Sequence, residues 1–157
     1  MPSILVKQAL VSAAERTLAA DPGRLRWYRL GSSAAWLPSP EESDWHRIHR
    51  TVMLGDAVLG WCSASIDREA QTVTEVGAVS LQYSLPYARA LDGWMHGLRR
   101  EFRALRWTCV VGNPAAAGWR RWAERAGGGE LCLLRRYALL DGRPVDVHLF
   151  EVLGEAP

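Results

Sequence analysis

Cysteine is scarce and poorly spaced for cross-links. Three occur, Cys62, Cys109 and Cys132, an odd number with no C-x-x-C pair. That excludes a disulfide framework and a cysteine-rich structural zinc. Each lies in a stretch that reads as a strand, so three reduced core thiols and a cytoplasmic location are expected. Long apolar runs are missing too, and no segment reaches bilayer-spanning length. The start, Met1 to Lys7, has no charged leader ahead of an apolar core, so no secretory signal is expected. There is no G-x-S-x-G elbow and no P-loop, which removes serine-type hydrolysis and P-loop nucleotide chemistry. His46 and His49 lie three apart with no cysteine or carboxylate at ligand spacing, and His96 and His148 stand alone, so no metal is expected. Lysine is nearly absent: Lys7 is the single one, and arginine supplies all the other basic charge.

What is present suits one soluble domain over residues 1–157, with an N-terminal helix and loop (1–45) and a core of sheet and helices (46–153). The 48% hydrophobic content is enough to bury a core without staples, and the 23% charged content argues against disorder of the whole chain. Net charge is only +2. Between Arg89 and Arg136, however, ten arginines face only Asp92, Glu101, Glu124 and Glu130. Such a surface suits phosphates of a cofactor or of nucleic acid, or is a solvated helix face. Eight tryptophans stand out. Trp94, Trp107, Trp119 and Trp122 fit core faces, and Trp27, Trp36 and Trp45 suit an acceptor pocket or a subunit contact as well as plain packing.

Periodicity gives the order of elements. Val6, Leu10, Ala13, Ala14 and Leu18 predict a helix from Ser3 to Ala20, with a short strand over Ile4–Val6 as an alternative. Residues 31–44, with Leu37-Pro38-Ser39-Pro40, read as loop. Ile48–Leu54, Ala57–Ile66 and Thr72–Leu81 read as an antiparallel meander joined by Gly55-Asp56 and Asp67–Gln71. Pro86 marks the start of a helix whose stripe is Leu91, Trp94, Met95, Leu98, Phe102 and Leu105. Arg106–Gly112 is a strand, Asn113-Pro114 an N-cap and first helical residue, and Trp119 to Ala126 a helix stopped by Gly127-Gly128-Gly129. Leu131–Leu140 and Val145–Leu153 close the chain as a hairpin around Asp141-Gly142. The expected fold is α/β: a mixed, mostly antiparallel central sheet with one βαβ crossover and helices on both faces.

That order resembles the GNAT superfamily of N-acyltransferases. Trp107-Thr-Cys-Val-Val-Gly-Asn113-Pro114 is similar to the family's strand-to-helix junction. Asp141-Gly142-Arg143-Pro144-Val145-Asp146, with Leu149 and Phe150, is similar to its closing hairpin. The likeness spans Ile48 to Leu153. The Asn-Pro junction and the glycine-ended helix also resemble GNAT-like proteins of phage and prophage regions. Val111-Gly112-Asn113 has a fainter likeness to a GNAT-like internal virion protein of short-tailed phages.

The resemblance implies acetyl-CoA or another acyl-CoA as cosubstrate and a small-molecule or protein amine as acceptor. It assigns the pantetheine contacts to the backbone of Val79, Ser80 and Leu81, and the pyrophosphate to the helix start at Leu85–Arg89, with Ser84 and Arg89 at hand. Arg99 or Arg100 would meet the outer phosphate. Glu75 would be the general base, Asn113 would orient substrate, and a hydroxyl of Tyr83, Ser84 or Tyr87 would serve as acid. The family's R/Q-x-x-G-x-G/A signature is met by Gln82-Tyr83-Ser84-Leu85-Pro86-Tyr87-Ala88-Arg89-Ala90, which holds no glycine, and Pro86 lacks an N–H. Trp119 or Ala123 stands where the family's tyrosine acid is expected. These departures define an alternative: a catalytically degenerate GNAT-like protein acting in phage assembly, with structural phage proteins or its own copies as partners and the virion as its location. A nucleic-acid module built on the arginine-rich helix is the least favoured reading, and no membrane partner is expected.

Overall fold

The structure is a computed structural model that describes residues 4–21, 23, 25–28, 45–82 and 84–156. Helix α1 (Ile4–Ala20) includes the segment offered as an alternative strand, Ile4–Val6, which is helical. Leu10, Ala13 and Ala14 recur on one side of the helix and are buried there. The proline-rich loop expected over 31–44, and Trp36 within it, lie outside the described residues.

Six strands follow in one sheet: β1 (Arg47–Leu54), β2 (Ala57–Asp67), β3 (Thr72–Ser80), β4 (Ala104–Val110), β5 (Gly129–Leu140) and β6 (Arg143–Leu153). Their spatial order is β1-β2-β3-β4-β6-β5. β3 and β4 run parallel, joined by helix α2 (Leu85–Glu101), and every other pairing is antiparallel. Helix α3 (Ala116–Arg125) links β4 to β5. The fold is thus the mixed α/β sheet that the periodicity predicts.

Both faces of the sheet are covered. Cys62, Ala64, Val76, Trp107 and Phe150 form the larger core with Trp94, Met95 and Leu98 of α2 and Trp122 and Ala123 of α3. On the other face, Val79 and the partly buried Trp61 pack with Leu10, Ala13 and Ala14 of α1 and with Leu25. Gly60 lets β2 change phase between the two faces. Its φ is +156°, and a Cβ there would run into the Val79 carbonyl and lie 2.7 Å from the Tyr87 ring.

Three local expectations are corrected. The apolar stripe assigned to α2 runs on to Leu105, but the helix ends at Glu101, Phe102 is its extended C-cap, and Leu105 belongs to β4. Both side chains face the same core, at 2% and 0% exposure, so burial alone cannot reveal that the backbone has changed form. Asn113 does not cap α3 directly. Its Oδ1 accepts from the Ala115 N–H at 2.9 Å in a turn, and Ala115 is the N-cap. Cys132 is exposed on β5 rather than in the core, whereas Cys62 and Cys109 are buried.

The closing hairpin turns at Asp141 and Gly142, whose φ values are +51° and +73°. That is the turn an Asp-Gly pair favours. Asp146 accepts the Arg136 N–H at 2.8 Å, where Arg136 itself sits at φ +50° in a break of the β5–β6 register. Among the described residues no helix is long and apolar enough to cross a membrane.

Candidate active site: a wedge between parallel strands

β3 and β4 pair only at Thr72 with Ala104 and Val73 with Leu105, and then part. The cause lies in β3 itself. Its register with β2 slips by one residue so that Thr74 has no opposite number. Such a bulge bends the strand and increases its twist, and here it falls where the pairing with β4 ends.

Glu75 follows the bulge and fills the apex of the opening. The ladder directs odd-numbered N–H groups of β4 toward β6, since Val111 donates to Asp146 O at 2.9 Å. Even-numbered ones therefore face the gap. The Thr108 N–H there donates to Glu75 Oε1 at 3.2 Å, and the Thr108 hydroxyl lies 3.3 and 3.4 Å from the two carboxylate oxygens. The carboxylate thus replaces the strand partner that Thr108 has lost. Desolvation between the strands raises the Glu75 pKa above the usual 4.5, and the bonds from Thr108 and from the Val76 N–H pull against that rise.

The same alternation sorts the β3 amides. Leu81 N–H donates to Leu59 O of β2 at 2.9 Å, which turns the amides of Val79 and Leu81 toward β2. The backbone groups of Val76, Ala78 and Ser80 face the wedge instead. Of the three residues assigned to pantetheine, Ser80 alone presents its amide to the opening.

A cleft lies on each face of the sheet. On the α1 face, a pocket of about 410 Å³ is lined by Trp27, Trp61, Glu75, Thr108, Asn113 and Tyr137, among others. On the α2–α3 face, a cleft of about 710 Å³ runs past Ser80, Ser84, Leu85, Trp119, Arg121 and Arg125. Ala78, Ala115 and Trp119 line both, so the two meet through the wedge.

The structure therefore gathers Glu75, Asn113, Val79, Ser80 and Ser84 around the opening. Ser84 is also the N-cap of α2, its Oγ accepting the Tyr87 N–H at 3.3 Å. Pro86 has no N–H, so Leu85 holds the remaining donor of the first three helical positions. Leu81 is buried in the α1-side core, and Arg89 is exposed outside the residues that line either cleft. Tyr83 lies outside the described residues. The tyrosine next to it in the same argument, Tyr87, is buried and donates to Trp61 O at 3.1 Å.

Arginines expected on α2 are replaced at the cleft by Arg121 and Arg125 of α3. Sequence spacing gave no sign of this, because which face of α3 meets the cleft is set by Trp119 and Trp122 packing on Trp107, at ring distances of 5.5 and 5.6 Å. Asp92 steadies the cleft wall, accepting the Trp122 indole N–H at 3.0 Å. Trp61 and Thr108 also escaped the sequence reading. Trp27 lines the pocket on the α1 face, whereas Trp45 is 68% exposed with the Arg68 guanidinium 5.2 Å from its ring centroid. No cluster of His, Cys, Asp and Glu suited to a metal ion occurs among the described residues.

No protein-family model and no curated protein matches the chain. Solved structures do. A probable acetyltransferase of the GNAT family from Chromobacterium violaceum aligns with a TM-score of 0.68 at 20% identity, over 98% of this chain and 85% of that one. A mutant of the spermidine N-acetyltransferase SpeG from Vibrio cholerae gives 0.58 at 19%, over 70% and 67%. The microcin C7 self-immunity acetyltransferase MccE, in complex with acetyl-CoA and AMP, gives 0.55 at 17%, over 69% and 61%. The fold is that of the GNAT acetyltransferases.

Proposed function

We propose that the chain, acting as one domain, transfers an acyl group from an acyl-CoA thioester to an amine. One observation carries this reading: two parallel strands open into a wedge, with a carboxylate at its apex and a cleft on either face. A GNAT neighbour that holds acetyl-CoA supports it.

The chain's own groups suit such a donor in part. The amides of Ala78 and Ser80 face the opening and can pair with an extended amide-bearing arm, as a missing strand would. The first turn of α2 is a poor phosphate cradle, with Pro86 and without glycine. Arg121 and Arg125 on the cleft wall supply the positive charge instead. They take the role that the resemblance assigns to Arg89.

On the opposite face Glu75 takes a proton from the incoming ammonium, directly or through one water. The freed nitrogen bonds to the thioester carbonyl carbon as the carbon–sulfur bond breaks. The second proton on nitrogen goes to the leaving sulfur. Asn113, its oxygen held by Ala115, keeps its NH₂ to orient the acceptor.

The test is calorimetric titration with acetyl-CoA, followed by thiol release when amines are added. Saturable heat and amine-dependent thiol release are expected. No heat and no thermal shift at millimolar acetyl-CoA overturn the reading. That result would favour the second one, a degenerate GNAT-fold protein of phage assembly, for which the first turn of α2 is the supporting observation.

A further inference from the structure

The pocket on the α1 face has an unusual lining for an amine site. Glu75 is the single charged side chain among its described lining residues. Around it stand four aromatic side chains from four different parts of the fold: Trp27 of the 3₁₀ turn Arg26–Tyr28, Trp61 of β2, Trp119 of α3 and Tyr137 of β5. Ser63, Ser65 and Thr108 add small hydroxyls without charge. The space, about 410 Å³, lies at the lower end of the range for small-molecule sites.

Each feature limits the acceptor. One carboxylate balances one positive charge. A polyamine such as spermidine would bring further ammonium groups against aromatic and hydroxyl walls, where the described lining residues offer no second acid. Aromatic walls favour a flat apolar body and attract the cation beside it through their ring faces. Trp119 lies on both clefts, so an amine seated here has its nitrogen near the wedge and its body against Trp27, Trp61 and Tyr137.

We infer that the acceptor is a monocationic primary amine carrying an aromatic or similarly flat apolar group, held by Glu75 within a cage of Trp27, Trp61, Trp119 and Tyr137. The inference rests on the acyltransferase reading of the same site and deepens it. It separates this chain from its Vibrio neighbour, which is named for spermidine.

The experiment is equilibrium binding of 2-phenylethylamine, n-butylamine and spermidine to the full chain, with and without saturating acetyl-CoA. 2-Phenylethylamine is expected to bind about five- to tenfold more tightly than n-butylamine, with spermidine no better than n-butylamine. Tyr137 is 65% exposed, so Tyr137→Ala leaves the fold intact and tests the cage without a packing change. It should weaken 2-phenylethylamine about threefold, through the lost contact with the ligand's ring, and leave n-butylamine unchanged. Glu75→Gln should weaken all the monoamines. Spermidine binding as tightly as 2-phenylethylamine, or a Tyr137→Ala loss equal for both monoamines, overturns the inference.

The two readings fail separately. If acetyl-CoA binds and no aromatic preference appears, the acceptor class falls and the acyltransferase stands. If the aromatic preference appears without any acetyl-CoA binding, the amine site stands and acyl transfer falls. If neither ligand binds, both fall.

Discussion

Glu75 holds two roles that pull in opposite directions. It closes the lost strand bond of Thr108, which favours the charged form, and it sits between strands, which disfavours it. The second effect is the larger, so the native pKa lies above 4.5. A raised carboxyl means the folded chain binds more protons than the unfolded one between those two values. Stability is then greatest below the ordinary carboxylate range and declines as pH rises through the native pKa. Glu75→Gln keeps an acceptor oxygen for Thr108 and removes the titration. The variant should melt higher than the parent at neutral pH, with the gap closing below pH 4.5, as scanning calorimetry across pH would read. Its turnover should fall about a hundredfold, and the acid limb of the parent's pH–rate profile should vanish. The place of Glu75 on the strand that lines the wedge came from the family resemblance, because a strand glutamate facing solvent would read the same in the sequence. Thr108 was not legible: its importance comes from an N–H that lost its partner, and no side-chain pattern records that.

Among the elements, α2 shows how a helix start can be adequate for folding and weak for anions. Ser84 caps it and Pro86 presets its backbone, yet proline removes a donor where phosphate would approach. Pro86→Ala restores the N–H. It should tighten acetyl-CoA binding about two- to fivefold by titration, while lowering stability by about 0.4–1 kcal/mol through the freer unfolded chain. α3 is fixed differently, through Glu130. That carboxylate accepts from Arg120 of α3 at 2.6 Å and meets His148 Nδ1 of β6 at 2.8 Å. The Arg120 bond first, and the His148 bond next, hold Glu130 below the usual carboxylate value of 4.5. A depressed carboxyl contributes stability above that value and loses it as pH falls. The parent's melting temperature should therefore drop more steeply below pH 4.5 than that of Glu130→Gln. Alternation and capping made most elements readable from sequence. The start of β4 was hidden because Leu105 satisfies a helix stripe and a buried strand equally. The bulge at Thr74, which opens the wedge, did leave a mark that alternation alone does not interpret: Thr74 and Glu75 stand side by side between the buried Val73 and Val76, breaking the period of two.

At the scale of the whole molecule, the three thiols divide by burial. Cys62 and Cys109 are pushed up to about 11, each mainly by burial, and Cys132 lies open on the edge strand β5. Thiolate is the reactive form. Native protein should therefore take one equivalent of iodoacetamide, at Cys132 by peptide mapping, and the other two only as the fold opens in denaturant. The overall fold was readable from the order of elements, whereas the composition of the clefts was not. Trp27, Trp61, Trp119 and Tyr137 are far apart in the chain and converge only when α1, α3 and the closing hairpin pack on one sheet.

The meeting of the two clefts at Ala78, Ala115 and Trp119 has a kinetic meaning. On the proposed acyl transfer, entrances on opposite faces mean that neither reactant stands in the doorway of the other, and the described residues shared by both clefts, Ala78, Ala115 and Trp119, carry no nucleophile to hold the acyl group in between. Turnover should pass through a ternary complex. Initial rates measured with both reactants varied should give double-reciprocal lines that intersect, and parallel lines would show that the passage works as a relay instead.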